Sequence, residues 1–214
     1  MYNLIFDLDG TLIRTDPMHR YIIARYIMGD YQRPCPDEAE FRRIIDMIWF
    51  HSGDENLVKD TLGLEKSDFW KAFARYDTPE MREAFSAPYT DASFVRHMKA
   101  RGHRTGIVTS ATKRIADLEV GMIGPENFDE IVLARKDNGL IPKPDPSGLY
   151  RCMELLGSTS KNTIFFGDSP DDIQAGQSAG VLDIHVDRGE FEYQGPKPTI
   201  TVLSLYDTMD ELGI

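Results

Sequence analysis

Six short apolar runs constrain this chain more than any other feature: Leu4-Ile5-Phe6, Gly106-Ile107-Val108, Ile131-Val132-Leu133, Ile164-Phe165-Phe166, Ile184-His185-Val186 and Thr199 to Leu203. Each is too short for a helix and rich in β-branched or aromatic residues. Unbroken apolar character, rather than alternation, suits parallel strands covered on both faces. Helix-like stretches lie between them. Asp91 to Arg101 carries Phe94, Val95 and Met98 at helical spacing, and Thr112 to Met122 and Pro146 to Leu156 read likewise. A shorter one, Asp171 to Ala179, is closed by Gly180. Strands alternating with helices after residue 90 predict βαβ units: an α/β chain with a Rossmann-like, three-layer parallel sheet.

The stretch from Asp16 to Ala87 follows another rule. Ile22, Ile23, Tyr26 and Ile27 make one helical stripe, and Phe41, Ile44, Ile45 and Ile48 a second. Leu57, Val58 and Leu62 make a third, and Phe69, Phe73 and Tyr76 a fourth. No clear strand interrupts them. The pattern predicts an all-helical subdomain at 16–87, inserted into a core formed by 1–15 and 88–214. The expected hinges are Arg14 to Asp16 and Ser86 to Tyr89.

Composition narrows the function. The chain has 214 residues, long enough for one α/β domain with an insert and a real apolar core. Its formal net charge is −11, from 24 basic and 35 acidic side chains. A general nucleic-acid binder needs a basic face to displace counterions, and no dense Lys/Arg run offers one. An acidic protein that handles phosphate esters must reverse the field locally, with a metal ion or a few placed cations. Two cysteines far apart, Cys35 and Cys152, make neither a disulfide framework nor a zinc site. No secretory leader is apparent, and nowhere do 18 apolar residues run together. A cytoplasmic enzyme without membrane or nucleic-acid partners is expected, as a monomer or a homodimer.

The chemistry gathers at strand ends. Phe6 is followed by Asp7-Leu8-Asp9-Gly10-Thr11. In extended chain, side chains two apart point the same way, so Asp7 and Asp9 can face one site while Leu8 turns inward. Parallel sheets bind ligands just beyond the carboxyl ends of their strands. Alone, the pair is equally well an acidic turn. A second cluster, Gly167-Asp168-Ser169-Pro170-Asp171-Asp172, also follows an apolar run. A helix N-terminus accounts for Asp171 and Asp172 through the macrodipole, but not for Asp168. A hard cation with oxygen ligands, such as Mg²⁺, accounts for both clusters together. Thr109-Ser110, ahead of a helix, offers hydroxyls and N–H groups for phosphate oxygens, although a plain N-cap would read the same way. Lys143, between Pro142 and Pro144, offers a cation on a backbone that proline restricts.

Taken together, these segments resemble the haloacid dehalogenase superfamily, in its branch similar to phosphoglycolate phosphatases with a helical cap after the first strand. Asp7-Leu8-Asp9-Gly10-Thr11 matches the first family motif and Thr109-Ser110 the second. Lys143 in Lys-Pro-Asp-Pro matches the third, and Gly167-Asp168-Ser169-Pro170-Asp171-Asp172 the fourth. The resemblance runs from the start of the chain to about residue 187. It implies a Mg²⁺-dependent phosphatase acting on a small phosphorylated metabolite, phosphoglycolate-like or a sugar phosphate. Asp7 would be the nucleophile and would form an aspartyl-phosphate. Asp9 would be the acid and then the base. The metal would be held by Asp7, the Asp9 carbonyl and Asp168. Asp172, ahead of Asp171, would bind metal-bound water or orient Lys143. Phosphate oxygens would meet Lys143 and the hydroxyl of Thr109 or Ser110, with Thr109 preferred.

Specificity in this family resides largely in the cap. Arg14 and His19, with Arg20 and Arg25, are the residues early in the insert that could reach a substrate. The segment Ser52-Gly53-Asp54 to Leu57 resembles the cap loop of phosphoglycolate phosphatases. Trp49 and Trp70 read as packing residues. One rival is a hexose-phosphate mutase of the β-phosphoglucomutase type, which His19 and Ser110-Ala111-Thr112-Lys113 would suit, but Gly53 after Ser52 breaks the Ser-Arg pair of such mutases. Dehalogenation is disfavoured by Asp9. A non-catalytic regulator on this scaffold would have lost Asp7, Asp9, Lys143 or Asp168, and all four are present.

Overall fold

The computed structural model describes residues 1–50 and 56–213. The chain forms two compact units, Met1–Arg14 with Ser86–Ile214, and Thr15–Phe85. In chain order the elements begin with β1 (Asn3–Phe6) and β2 (Ile13–Thr15). Five helices follow: α1 (Met18–Asp30), α2 (Glu38–Phe50), α3 (Leu57–Leu62), α4 (Lys66–Tyr76) and α5 (Pro79–Phe85). Then come β3 (Ser86–Pro88), α6 (Ser93–Ala100), β4 (Arg104–Thr109), α7 (Lys113–Ile123), β5 (Glu130–Leu133) and α8 (Ser147–Leu156). The chain closes with β6 (Thr163–Gly167), α9 (Pro170–Ala179), β7 (Leu182–Val186), β8 (Ile200–Val202) and α10 (Asp207–Leu212).

The larger unit is built on a parallel sheet of order β5-β4-β1-β6-β7-β8. The apolar runs are continuous because both faces are covered. Leu4 and Phe6 pack on one face with Phe94, Val95 and Met98 of α6 and Ala116 and Val120 of α7. Ile5 points to the other face and meets Leu149, Cys152 and Leu156 of α8 and Ala175 of α9. This is the three-layer α/β arrangement that the sequence implied. The β1 strand lies in the middle, between β4 and β6, so the residues after it face the carboxyl ends of two neighbours. Cys35 is exposed, Cys152 is buried, and both are free thiols.

The smaller unit is helical. Its core joins Ile23, Ala24 and Ile27 of α1 to Phe41, Ile44, Ile45 and Ile48 of α2, and to Phe69 and Phe73 of α4. Tyr26, expected within the α1 stripe, is 51% exposed, and Met28 takes an inward position instead. Trp49 and Trp70 pack together with ring centroids 5.8 Å apart. Where the expected hinges lie, the chain forms two short strands, β2 and β3, paired in a small sheet of their own. The Ser52-Gly53-Asp54 segment, which bears on the mutase reading, lies outside the described residues. Among those described, no helix is long and apolar enough to cross a membrane.

Candidate active site

Asp7 is the first residue beyond β1, and its N–H still donates to Phe166 O (2.8 Å). That bond extends the β1–β6 ladder and fixes where the carboxylate starts. Leu8 is fully buried in the core, as alternation requires. The chain then turns back, with the N–H of Gly10 donating to Ile13 O (2.7 Å). Gly10 has φ +89°, and a Cβ there would lie 2.4 Å from Asp168 Oδ2, so conformation and space both demand glycine. The Thr11 hydroxyl donates to Asp168 Oδ1 (2.7 Å), tying the turn to the end of the neighbouring strand.

At that end, Ser169 caps α9. Its hydroxyl accepts from Asp172 N–H (3.3 Å), and Asp172 Oδ2 accepts from Ser169 N–H (3.0 Å) and Oγ (2.5 Å). This reciprocal box satisfies donors that a helix start leaves open. Oδ2 is thereby occupied, and Oδ1 is turned to Lys143. The Asp168 carbonyl accepts from His185 Nε2 (3.0 Å), which places the ring proton on that nitrogen. Burial holds the His185 imidazole below the usual histidine range.

Lys143 closes the site. Its ammonium donates to Asp7 Oδ1 and, at 2.5 Å, to Asp172 Oδ1. The lysine side chain is 8% exposed and that of Asp172 0%. Asp7, Asp168 and Asp172 each bring a carboxylate oxygen within 4.8 Å of the others. Two of the acids thus share one ammonium, and the third lies beside them. Burial pushes the Asp7 carboxyl up to about 7, the pull of Lys143 resists, and Asp172 adds to the rise. Burial, then Asp172 and Asp7, hold Asp168 well above the carboxylate range. Burial alone would depress Lys143, but Asp172 and Asp7 outweigh it and raise the lysine above its ordinary value. Closely spaced carboxylates of this kind accept a divalent cation, and an all-oxygen donor set fits Mg²⁺.

The second hydroxyl region follows β4. Thr109 is 2% exposed, still paired in the strand, and its Oγ1 accepts from Ala111 N–H (3.1 Å). The Ser110 and Thr112 hydroxyls are buried without a hydrogen-bond partner. Arg135 Nη1 donates to the Ser110 carbonyl (2.9 Å) and so fixes this loop from β5's side of the sheet.

Not every candidate joins the acids. Asp9 lies half-buried in the turn, in a bridge with Ile13, and its carboxylate is outside the three-acid cluster. Asp171 precedes the cluster's Asp172 and is outside it too. Arg14 is exposed on β2. His19 needs correcting. It is 1% exposed, its Nε2 lies 3.0 Å from Asp77 Oδ1, and Phe73 packs against its ring. A ring so enclosed offers no atom to a substrate, and its partner Asp77 also holds Arg82. Arg20 and Arg25 are likewise engaged, with Asp46 and Glu38. Ser169 and His185 have no separate part in the sequence reading. Ser169 was legible as a helix cap, whereas nothing local marks His185.

A family model for haloacid dehalogenase-like hydrolases matches residues 3–180. The chain belongs to that family. Pyrophosphatase PpaX of Bacillus cereus (strain B4264) is 26% identical over 221 residues, covering 98% of this chain and 95% of that one. Two crystal structures share the fold. One, provisionally assigned as a phosphoglycolate phosphatase from Lactobacillus plantarum, has TM-score 0.75 at 23% identity, covering 98% and 99% of the two chains. The other, provisionally a β-phosphoglucomutase from Thermotoga maritima, has TM-score 0.69 at 20% identity, covering 100% and 99%. At such identities these two speak for the fold alone. The family match makes the chain a haloacid dehalogenase-like hydrolase.

Proposed function

We propose that this chain is a Mg²⁺-dependent phosphatase of a small phosphorylated metabolite, working through an aspartyl-phosphate on Asp7. The observation that carries the reading is the Lys143 ammonium held between Asp7 and Asp172, with Asp168 beside them. Asp7 Oδ attacks phosphorus, and the bond to the leaving oxygen breaks. Asp9 gives that oxygen a proton, then takes one from water. The water oxygen attacks the phosphoryl group, the Asp7–phosphorus bond breaks, and phosphate leaves. A covalent intermediate divides one hard displacement into two easier ones. Lys143 offsets charge on the transferring group. Mg²⁺, held by Asp7, Asp168 and the Asp9 carbonyl, would add to that neutralisation. Asp172 orients Lys143, since its other oxygen is fixed by Ser169. Of the two hydroxyls at the end of β4, Ser110 suits phosphate better than Thr109. Its Oγ is buried and unpartnered, whereas that of Thr109 already accepts a bond.

The substrate class is a phosphate monoester, and the similarity to PpaX adds pyrophosphate to the candidates. The test is phosphate release from a panel of phosphoglycolate, sugar phosphates and pyrophosphate, with and without a chelator. Release that needs Mg²⁺ but no bisphosphate primer is expected. Undiminished release with chelator would contradict the metal, and conversion only with a primer would favour a mutase.

A further inference from the structure

Arg188 lies just beyond β7, far in sequence from every motif, yet it reaches the catalytic turn. Its Nη2 donates to the Thr11 carbonyl, across a separation of 177 residues. Its Nη1 pairs with Asp91 Oδ2 at 2.9 Å, and both side chains are nearly enclosed, at 7% and 10% exposure. The guanidinium carbon sits 4.0 Å from the centroid of the Tyr89 ring, an arrangement that favours a cation over the aromatic face. Asp91 is itself anchored, because Oδ2 also accepts from Leu205 N–H (2.8 Å) and Ser204 Oγ (3.2 Å). Burial would raise the Asp91 carboxyl, but Arg188 and the Leu205 N–H outweigh it and hold the acid below its usual range. The charge is therefore settled, and the arginine is a fixed strut.

What the strut holds matters more than what holds it. Thr11 is gripped at two atoms. Its carbonyl accepts from Arg188, and its hydroxyl donates to Asp168 Oδ1 at 2.7 Å. Asp168 is one of the three clustered acids. We propose that Arg188 is a positioning residue, fixing Thr11 so that its hydroxyl presents Asp168 to the divalent cation. The inference rests on the Mg²⁺-phosphatase reading of the site. Groups that orient a metal ligand typically change metal affinity about 10- to 100-fold when removed.

The experiment compares wild type with Arg188→Met and Arg188→Lys. Each is measured for its thermal midpoint and, by calorimetry well below that temperature, for Mg²⁺ dissociation constant. Arg188→Met is expected to weaken Mg²⁺ binding about tenfold in folded protein. Arg188→Lys keeps a charge for Asp91, but one ammonium does not reproduce the guanidinium fork. It is expected to weaken binding severalfold and serves alone if Arg188→Met does not fold. A lowered midpoint with unchanged Mg²⁺ affinity would overturn the proposal and leave Arg188 a structural brace. Wild type that binds no Mg²⁺ would overturn both this proposal and the metal reading beneath it, which separates the two failures.

Discussion

Buried charge is arranged in opposite ways in the two units. In the helical unit, Asp77 sits between His19 and Arg82, with side chains 14% and 6% exposed for the Asp77–Arg82 pair. A cation matches the acid there. Burial would raise the Asp77 carboxyl, but its bonds to His19 and Arg82 bring it below the usual range. In the sheet unit, Lys143 pairs with Asp7 and Asp172 while Asp168 lies beside them, and burial raises Asp7 and Asp168. Both regions are buried, so burial does not separate them. The balance does. A matched cluster is scaffold, whereas a cluster short of positive charge is built to receive one from outside.

The comparison breaks most decisively at Asp7. Asp7→Asn removes the nucleophile, and turnover of p-nitrophenyl phosphate should vanish although Lys143 and Asp172 remain. Asp9→Asn should lower the same turnover by roughly 10²–10⁴, the usual worth of a general acid–base. On the balanced side, Asp77→Ala takes the carboxylate away from Arg82 and His19 in the interior. Denaturant titration should show a loss of about 3–5 kcal/mol, the range for breaking a buried pair. The Mg²⁺ response should not change. Asp168→Asn sharpens the contrast from the other direction. It replaces an acid whose ionisation burial disfavours with a neutral amide, so the metal-free protein should become more stable. A gain of about 1 kcal/mol would raise the thermal midpoint by roughly 2–4 °C in a chain of this size.

The smallest effect is one of pH. Without metal, Asp7 titrates near 7 in the folded state against 3.8 as the ordinary value. Between those values the folded chain binds more protons than the unfolded one, so stability falls as pH rises through that window. Mg²⁺ displaces those protons, because its carboxylate ligands must be ionised. The thermal shift produced by Mg²⁺ should therefore be larger at pH 8 than at pH 5.5, measured by scanning fluorimetry with and without the ion.

The sheet was legible because strands buried on both faces must be apolar throughout, as Leu4-Ile5-Phe6 and Ile164-Phe165-Phe166 are. β2 and β3 were not, since Ile13-Arg14-Thr15 and Ser86-Ala87-Pro88 hold no unbroken apolar run. α5 escaped as well, at seven residues. The stretch from Asp91 read as one helix, but it starts as a tight 3-10 turn at Thr90–Ala92, where Asp91 is drawn inward to Leu205 and Arg188. Asp7 and Asp168 stood out because acids at strand ends are conspicuous against apolar runs, Asp172 because it opens the helix after one, and Lys143 because prolines flank it. His19 misled because its spacing from Asp7 fits a substrate group, and only the fold reveals Asp77 beside it. Arg188 carried no local signal, since its meaning lies wholly in contacts made across the chain.

Calorimetric titration of Mg²⁺ into the metal-free protein at pH 8, beside Asp168→Asn, is the most direct test of the charge-deficient centre. A single saturable site is expected in the wild type, lost or severely weakened in the variant. Equal binding by both proteins, or none by the wild type, would contradict it.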